Sequence, residues 1–173
     1  DIEVYNELRI PREDKDPILM IAFYSSNFKK VITWKKIANV EKYVHFVKDE
    51  KELIKEAVNT IKQFKPDYLV GYFSDGFDFP YLRARANKLK VPLDINLDFS
   101  SIQFRKRGEL SSVQLTGFAH LDIYRFIRKI TSGGEIQLES YDLDTVAKEM
   151  LNEGKEDVNI PELAAAWDKN DYK

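Results

Sequence analysis

Acidic side chains at two separated points of the chain could hold a divalent cation if the fold brought them together. Residues 1–5 alternate charged and apolar side chains. Asp1 and Glu3 therefore point to one face of a predicted strand, about 6.5–7 Å apart. Two negative charges at that spacing are unfavourable unless a cation or a proton lies between them. A solvated, frayed terminus is the alternative interpretation of a single Asp-x-Glu.

The third acid, Asp78, lies between two phenylalanines, after an apolar run that breaks at residues 74–76. The proline two positions later predicts the start of a helix. A strand that passes through a loop into a helix often carries the chemistry of an α/β protein. A carboxylate at a helix N-terminus is also favoured in its ionised form. We therefore predict that Asp78 shares a divalent cation with Asp1 and Glu3.

The elements that would position these acids form an α/β pattern, with a mixed sheet flanked by helices. Short apolar runs between turn residues indicate strands, and Asp49 before a helical apolar spacing indicates a capped helix with a solvated charged face. The strand–helix–strand order predicts a parallel pairing of the strands on either side of this helix. Strands are predicted at residues 1–5, 18–24, 30–34, 43–47, 118–124 and from residue 68, and helices from residues 49, 80 and 140.

A basic segment lies in a predicted β-hairpin that protrudes from this sheet. The hairpin covers residues 102–117, with its turn near Gly108. Arg105, Lys106 and Arg107 form the densest basic cluster of the chain. A solvated edge strand that uses its cations against aggregation is one interpretation, and a hairpin that faces phosphates is the other.

The C-terminal part of the chain predicts one amphipathic helix and a shorter one. The first covers residues 140–151, and residues 161–167 suggest the second. Asp122, before them, is interpreted as a helix cap or an ion-pair partner, and a place near the acid cluster is the alternative. The side chains predicted to face inward on the first helix are Leu143, Val146, Ala147, Met150 and Leu151.

Bulk properties limit the function classes. A chain of 173 residues with 43% hydrophobic and 32% charged residues is typical of one globular domain. It has no cysteine and no apolar run near the roughly 20 residues of a membrane span, so we expect an intracellular, cytoplasmic protein without a membrane. The net charge of -2 favours an acidic metal pocket with a local basic patch over a uniformly basic nucleic-acid binder.

An ordered series of short motifs runs along the chain. Asp-Ile-Glu stands at residues 1–3, and residues 74–82 read Ser-Asp-Gly-Phe-Asp-Phe-Pro-Tyr-Leu. Further blocks lie at residues 33–35, 65–67, 120–124 and 140–147. Together they resemble the 3′→5′ proofreading exonuclease domain of archaeal-type family B DNA polymerases, which has a ribonuclease H-like fold. The resemblance covers nearly all of residues 1–173.

The resemblance implies hydrolysis of the terminal phosphodiester at a single-stranded 3′ end of DNA by two Mg²⁺ or Mn²⁺ ions. It implies that Asp1 bridges the ions, Glu3 holds the ion that activates water, and Asp78 holds the second ion. Phe73 and Phe77, close to the acids in sequence, are candidates to stack on unpaired bases, each stack worth ~1–3 kcal/mol. Packing in the core is the alternative interpretation of both rings. The hairpin would help to separate primer from template. DNA and the rest of the polymerase chain are the implied partners.

Two departures from the family pattern bear on activity. The family usually has an asparagine where this chain has Phe73, and phenylalanine can stack or pack but cannot hydrogen-bond a nucleotide. The third motif of the family, Tyr-x-x-x-Asp, does not occur in the sequence. We therefore expect a fragment of a longer polymerase that binds metal weakly and hydrolyses DNA slowly or not at all. The alternatives are a catalytically inactive scaffold or DNA-binding module with this fold, and a freestanding exonuclease.

Overall fold

The computed structural model describes residues 1–6, 10–107, 110–134, 137–154, 164–165 and 167–168. Strands and helices are intermixed along it, in agreement with the predicted α/β class. Within this described part, no helix is long and apolar enough to cross a membrane. The elements are β1 (Ile2–Val4), β2 (Ile18–Ser25), β3 (Phe28–Thr33), β4 (Val44–Phe46), α1 (Glu50–Phe64), β5 (Tyr68–Gly71), α2 (Asp78–Leu89), β6 (Gln103–Arg107), β7 (Leu110–Gln114), β8 (Ala119–Asp122), α3 (Ile123–Thr131) and α4 (Leu143–Leu151).

The first four strands form a mixed sheet in the order β1-β2-β3-β4. The β1–β2 and β2–β3 pairs are antiparallel, and the β3–β4 pair is parallel. Ile2 lies opposite Ile21, and Ile21 lies opposite Ile32, so that three buried side chains form one row across the sheet. Side chains alternate between the faces of a strand, and Glu3 accordingly lies exposed on the opposite face.

Helix α1 packs against this sheet through the apolar face that the sequence predicts. Asp49 caps it, because its carboxylate accepts a hydrogen bond from the N–H of Glu52 at 2.9 Å. The prediction that the charged face is only solvated was wrong at two positions. Glu56 accepts a hydrogen bond from Lys30 of β3 at 2.6 Å, and Lys62 pairs with Asp94 at 2.7 Å. These two ion pairs connect the charged face of α1 to β3 and to the segment after α2.

Strand β5 pairs in parallel with β8, and the predicted pairing of the strands on either side of α1 was wrong. The strand before α1 is β4, and it pairs with β3 instead. A strand–helix–strand order determines strand direction but not which strand becomes the neighbour. The strand predicted at residues 118–124 also ends earlier, at Asp122, where the carboxylate caps α3 by accepting the N–H of Tyr124 at 3.0 Å. The expected capping role of Asp122 is therefore confirmed.

The predicted hairpin is confirmed as an antiparallel pair of β6 and β7, which forms a two-stranded sheet of its own. Gln103 lies opposite Gln114, and Arg107 lies opposite Leu110. Residues 108 and 109, where the turn is predicted, lie outside the described residues. Val113 of β7 is buried, so this end of the hairpin is anchored to the rest of the domain.

Helix α4 is less buried than its amphipathic pattern predicts. Val146 is buried, whereas Leu143, Met150 and Leu151 are 42%, 38% and 69% exposed. The prediction that these three side chains face inward was wrong, because the described residues cover the helix only on the side of Val146. Residues 164–165 and 167–168 of the predicted last helix are helical, and the ring of Trp167 packs edge-on against that of Trp34 at 4.9 Å.

Candidate nuclease site

Asp78 is the first residue of α2 and lies directly beside β1. One carboxylate oxygen, Oδ1, accepts a hydrogen bond from the backbone N–H of Ile2 at 3.1 Å. Ile2 is the residue between Asp1 and Glu3. The fold therefore brings the loop after β5 to the first strand, across 76 positions of sequence. Asp78 thus lies next to the strand that carries Asp1 and Glu3, and convergence of the three carboxylates on one cation stays a prediction.

Burial raises the pKa of Asp78 above its usual value of 3.8. The N-terminal ammonium group and the hydrogen bond from Ile2 oppose this shift, and the charge of Asp122 adds to it. The position at a helix N-terminus also favours the carboxylate, but loss of hydration outweighs it. The sequence argument for a readily ionised Asp78 was therefore incomplete, since the site stabilises the charge less than water does.

Asp1 and Glu3 line the same cavity as Asp78, and both are exposed. The cavity has a volume of about 560 Å³ and lies between β1, the loop after β5 and the start of α2. Its walls combine these acids with aromatic and aliphatic side chains, among them Phe73, Phe77 and Leu143. It can therefore accept a ligand with both apolar and negatively charged parts, provided that cations offset the charges.

The three acids do not form a closed ligand set. Among the described residues, no group of three or more His, Asp or Glu side chains is arranged to hold a metal ion. The chemistry of the donors nevertheless suits a hard divalent cation, because all three are carboxylates. Asp78 also carries a charge that its surroundings disfavour, and a cation would relieve that cost. The residues fit such an ion in kind, whereas the exposed Asp1 and Glu3 side chains are not gathered around a common point.

Phe73, predicted to contact nucleic acid, lies on the rim of the cavity with 46% of its surface exposed. Its backbone has φ = 56°, in the left-handed region that asparagine tolerates better than phenylalanine. Its N–H donates to the Oδ1 of Asp122 at 3.0 Å, and its ring lies 5.0 Å from that of Tyr124. An asparagine at this position, as is usual in the resembled family, would thus suit the backbone conformation as well as supplying hydrogen bonds.

Phe77, the second aromatic residue predicted to contact nucleic acid, is half-buried and packs against the core. Its ring lies 5.4 Å from that of Tyr81, and its backbone forms the cap position of α2. Phe77 also lines the cavity. The structure gives it a supporting position next to Asp78, and stacking on a base stays a prediction.

Of the basic cluster of the hairpin, the structure describes the side chain of Arg105. Arg105 is exposed and is not among the residues that line the cavity. The side chains of Lys106 and Arg107 lie outside the described residues, although both belong to β6. Contact of this cluster with phosphates therefore stays a prediction.

The sequence analysis missed a buried polar cluster behind the loop after β5. Asp75 accepts a hydrogen bond from the N–H of Val113 at 2.7 Å and pairs with Arg125 at 2.9 Å. His120 contacts both Asp75 and Ser74, with Nδ1 3.5 Å from Asp75 and Nε2 2.9 Å from the hydroxyl of Ser74. The cluster joins the loop, the hairpin, β8 and α3, and so determines where the loop that ends at Asp78 lies.

No sequence spacing identifies this cluster, because its contacts join residues 38 to 50 positions apart, from the Asp75–Val113 hydrogen bond to the Asp75–Arg125 ion pair. Burial lowers the pKa of His120 below 6.5, although the charges of Asp75 and Asp122 act in the opposite direction. His120 is therefore neutral at neutral pH. A neutral imidazole leaves the charge of Asp75 to be balanced by Arg125.

Comparison with known proteins identifies relatives along most of the chain. Residues 1–146 match the family described as DNA polymerase family B, exonuclease domain. A DNA polymerase of Pyrococcus horikoshii is 38% identical over 154 residues, which are 89% of this chain and 12% of that protein. A DNA polymerase of Methanocaldococcus jannaschii is 34% identical over 173 residues, which are 99% of this chain and 10% of that protein.

A solved structure gives the same result in three dimensions. The family B DNA polymerase from the hyperthermophilic archaeon Pyrobaculum calidifontis matches with a TM-score of 0.74 and 28% identity. The match covers 97% of this chain and 20% of that one. The mixed sheet flanked by helices is thus the architecture predicted from the sequence. The chain spans a fifth or less of the length of each of these proteins.

Proposed function

Because the chain belongs to the exonuclease domain family of archaeal family B DNA polymerases, we propose that it acts as a 3′→5′ proofreading exonuclease. Its substrate is the 3′-terminal phosphodiester of single-stranded DNA, inside the cell. Its further partners are primer–template DNA and the remaining domains of a polymerase. The relatives are named DNA polymerases as whole proteins, and that activity enters here as part of the proposal.

The hydrogen bond between Asp78 and the backbone of Ile2 carries this proposal. It fixes one oxygen of Asp78 beside Ile2, the residue between Asp1 and Glu3, and all three acids line the same cavity. A scaffold without chemistry would have no need for a half-buried acid whose charge is disfavoured. The cavity also offers aromatic walls to a base, which a site for phosphate alone would not require.

Divalent cations would be held by Asp1, Glu3 and Asp78. When bound, Mg²⁺ or Mn²⁺ stabilises the attacking and leaving oxygens of a phosphodiester hydrolysis. The chain itself supplies the carboxylates, holds Asp78 in place through Ile2, and lines the cavity with the rings of Phe73 and Phe77. Asp75 and His120 hold the loop that leads to Asp78.

Mn²⁺ binding measured by isothermal titration calorimetry tests the metal site without relying on turnover. Asp78→Asn keeps the shape of the side chain and its acceptor for the Ile2 N–H but removes the charge. We expect it to abolish Mn²⁺ binding. The matched control is Asp98→Asn, which removes an exposed carboxylate that bonds only locally to Ser100. Equal Mn²⁺ binding by wild type and Asp78→Asn would contradict the proposed metal site.

A second function, a catalytically inactive DNA-binding module of a polymerase, has two observations in its favour. The acids of the described residues do not form a ligand group, and Phe73 stands where the resembled family usually has asparagine. This function predicts oligonucleotide binding without any Mn²⁺ binding in the same calorimeter. The two functions are therefore separated by one titration of the wild-type chain.

A further inference from the structure

An aromatic cluster surrounds Tyr124 at the rim of the cavity. Three rings pack edge-on against it: Phe73 at 5.0 Å, Tyr72 at 5.8 Å and Tyr141 at 6.4 Å between centroids. They come from three parts of the chain: the loop after β5, the start of α3, and the segment before α4. Edge-to-face contacts of this kind fix the rings relative to each other.

The tyrosine hydroxyls of this cluster are satisfied by the protein itself. Tyr72 donates to the backbone carbonyl of Tyr141 at 2.6 Å, and the hydroxyl of Tyr141 lies 2.8 Å from that of Thr131. The hydroxyl of Tyr124 accepts a hydrogen bond from Arg128 at 3.2 Å. The cluster therefore offers ring surface to a ligand, above all the half-exposed ring of Phe73.

Arg128 adds a positive charge to the cluster. Its guanidinium group lies 4.9 Å from the ring centroid of Tyr141 and 5.9 Å from that of Tyr124. The side chain is exposed, and within the described part of the chain it forms no ion pair with an acid. Asp142, next to Tyr141, directs both carboxylate oxygens to Thr145 at the start of α4. The charge of Arg128 is thus available to an anion.

An exposed ring and an available cation that share one neighbouring ring suit a ligand with a flat apolar group and a negative charge. Phe73 and Arg128 both lie within 6 Å of the Tyr124 ring centroid. Tyr72 and Phe73 also line the cavity that contains Asp78, so the cluster continues that cavity outwards. A single nucleic-acid strand has a base and a phosphate at every step and extends beyond its terminal nucleotide.

We infer that Phe73, Tyr124, Tyr141 and Arg128 form a second subsite for single-stranded nucleic acid, in which a base stacks on Phe73 and a phosphate pairs with Arg128. The inference rests on the proposed function, because it places this nucleotide next to the one in the acidic cavity. It adds to that function a cationic contact on α3, separate from the basic hairpin. Phe73 is held in a left-handed backbone conformation that its side chain does not favour, which keeps its ring over the loop.

Fluorescence anisotropy of a labelled oligothymidylate, titrated with the chain in EDTA at several salt concentrations, tests the contact with phosphate. Each phosphate neutralised on a single strand contributes about −0.7 to the slope of log K against log salt concentration. Arg128→Ala should weaken binding and make the slope less negative by about 0.7. The matched control is Lys129→Ala, which removes the same charge from the next, equally exposed position of α3 and should change neither quantity.

Phe73→Leu tests the stacking contact, since it removes the ring but keeps an apolar side chain. The affinity should fall roughly five- to 150-fold, the range that corresponds to loss of one base stack. The salt slope should stay unchanged, because no charge is altered. Arg128→Lys should restore the salt slope, which a purely structural role of the arginine would not require. Circular dichroism melting curves show whether each variant is folded.

Failure of the subsite and failure of the proposed function give different results. Wild-type binding of Mn²⁺ and of the oligonucleotide, with Arg128→Ala equal to Lys129→Ala, overturns the subsite and leaves the nuclease proposal standing. Specific effects of Arg128→Ala and Phe73→Leu without Mn²⁺ binding support the subsite and overturn the metal proposal. Displacement of the oligonucleotide by polyglutamate at equal charge concentration identifies a general anion or protein contact and overturns the assignment to nucleic acid.

Discussion

Removal of one partner from the buried ion pair of Arg85 and Glu50 should destabilise the domain strongly. The pair is bidentate: Arg85 Nε donates to one oxygen of Glu50 at 2.7 Å, and Nη2 donates to the other at 2.5 Å. The two side chains are 5% and 9% exposed. Glu50 also accepts the N–H of Ile18 at 2.8 Å, so the pair joins α1, α2 and β2. Arg85 lies on the helix that begins with Asp78, which it anchors to the sheet.

The expected magnitude follows from burial. Arg85→Met leaves a carboxylate without its counter-charge, and breaking a buried pair in this way costs about 3–5 kcal/mol. For a chain of this size, a loss of that order lowers the melting temperature by roughly 6–20 °C. Lys55→Met is the matched control. Its pair with Glu52 has a similar length of 2.8 Å, but both side chains are 45% exposed, and such pairs contribute about 0–1 kcal/mol.

Urea unfolding followed by circular dichroism measures both free energies of unfolding. Adding Glu50→Gln to Arg85→Met should recover part of the loss, because it removes the uncompensated charge and keeps an acceptor for the N–H of Ile18. A loss of unfolding free energy in Arg85→Met no larger than that in Lys55→Met would contradict this prediction. It would mean that water reaches Glu50 in solution.

Four further predictions concern the site. Asp78→Asn should stabilise the metal-free chain at neutral pH. Burial raises the pKa of Asp78 in the folded chain, so the charge of Asp78 lowers the stability at pH values above the ordinary pKa of 3.8. Thermal melts should therefore show that the stability gained by Asp78→Asn vanishes as the pH falls below 3.8. The stabilisation linked to neutral His120 should be present above pH 6.5 and lost as the pH falls, because burial lowers the pKa of this side chain in the folded chain. The difference in unfolding free energy between wild type and His120→Gln should therefore shrink on acidification. Gly76→Ala would place a Cβ 2.4 Å from the ring of Phe73, so the ring should move, and anisotropy should show weaker oligonucleotide binding with little change in melting temperature. The 173-residue chain, which lacks the third motif, should cleave a 3′-labelled single strand slowly or not at all with Mn²⁺; fast cleavage that is lost in Asp78→Asn would contradict this.

The sequence predicts the local elements well because their signals are local. The cap of α1, the hairpin and the helix around Pro80 all follow from spacing within a short window. The meeting of Asp78 with β1 was predicted from the kinds of residue rather than from any pairing rule. Its raised pKa was not predicted, because the cause is burial by distant parts of the chain.

Features that depend on distant neighbours escaped prediction. The pairing of β5 with β8 is a choice among strands of equal direction, which sequence order does not resolve. The pair of Glu50 and Arg85 joins two residues 35 positions apart, and each alone reads as an ordinary surface charge on a helix. Leu151 on α4 was predicted to be buried but is exposed. An apolar pattern indicates which side of a helix can be buried, but not whether another part of the chain packs against that side.

The contact between Asp75 and the hairpin has a consequence for divergence and for engineering. The carboxylate accepts the backbone N–H of Val113, which every residue except proline provides. The residues of β7 can therefore be substituted without loss of this hydrogen bond. An insertion of one residue in β7 would break it, because a different amide would face Asp75 and every side chain of the strand would move to the opposite face. Whether a hairpin transplanted from a relative keeps the hydrogen bond to Asp75 would then depend on the length of its strands rather than on their composition.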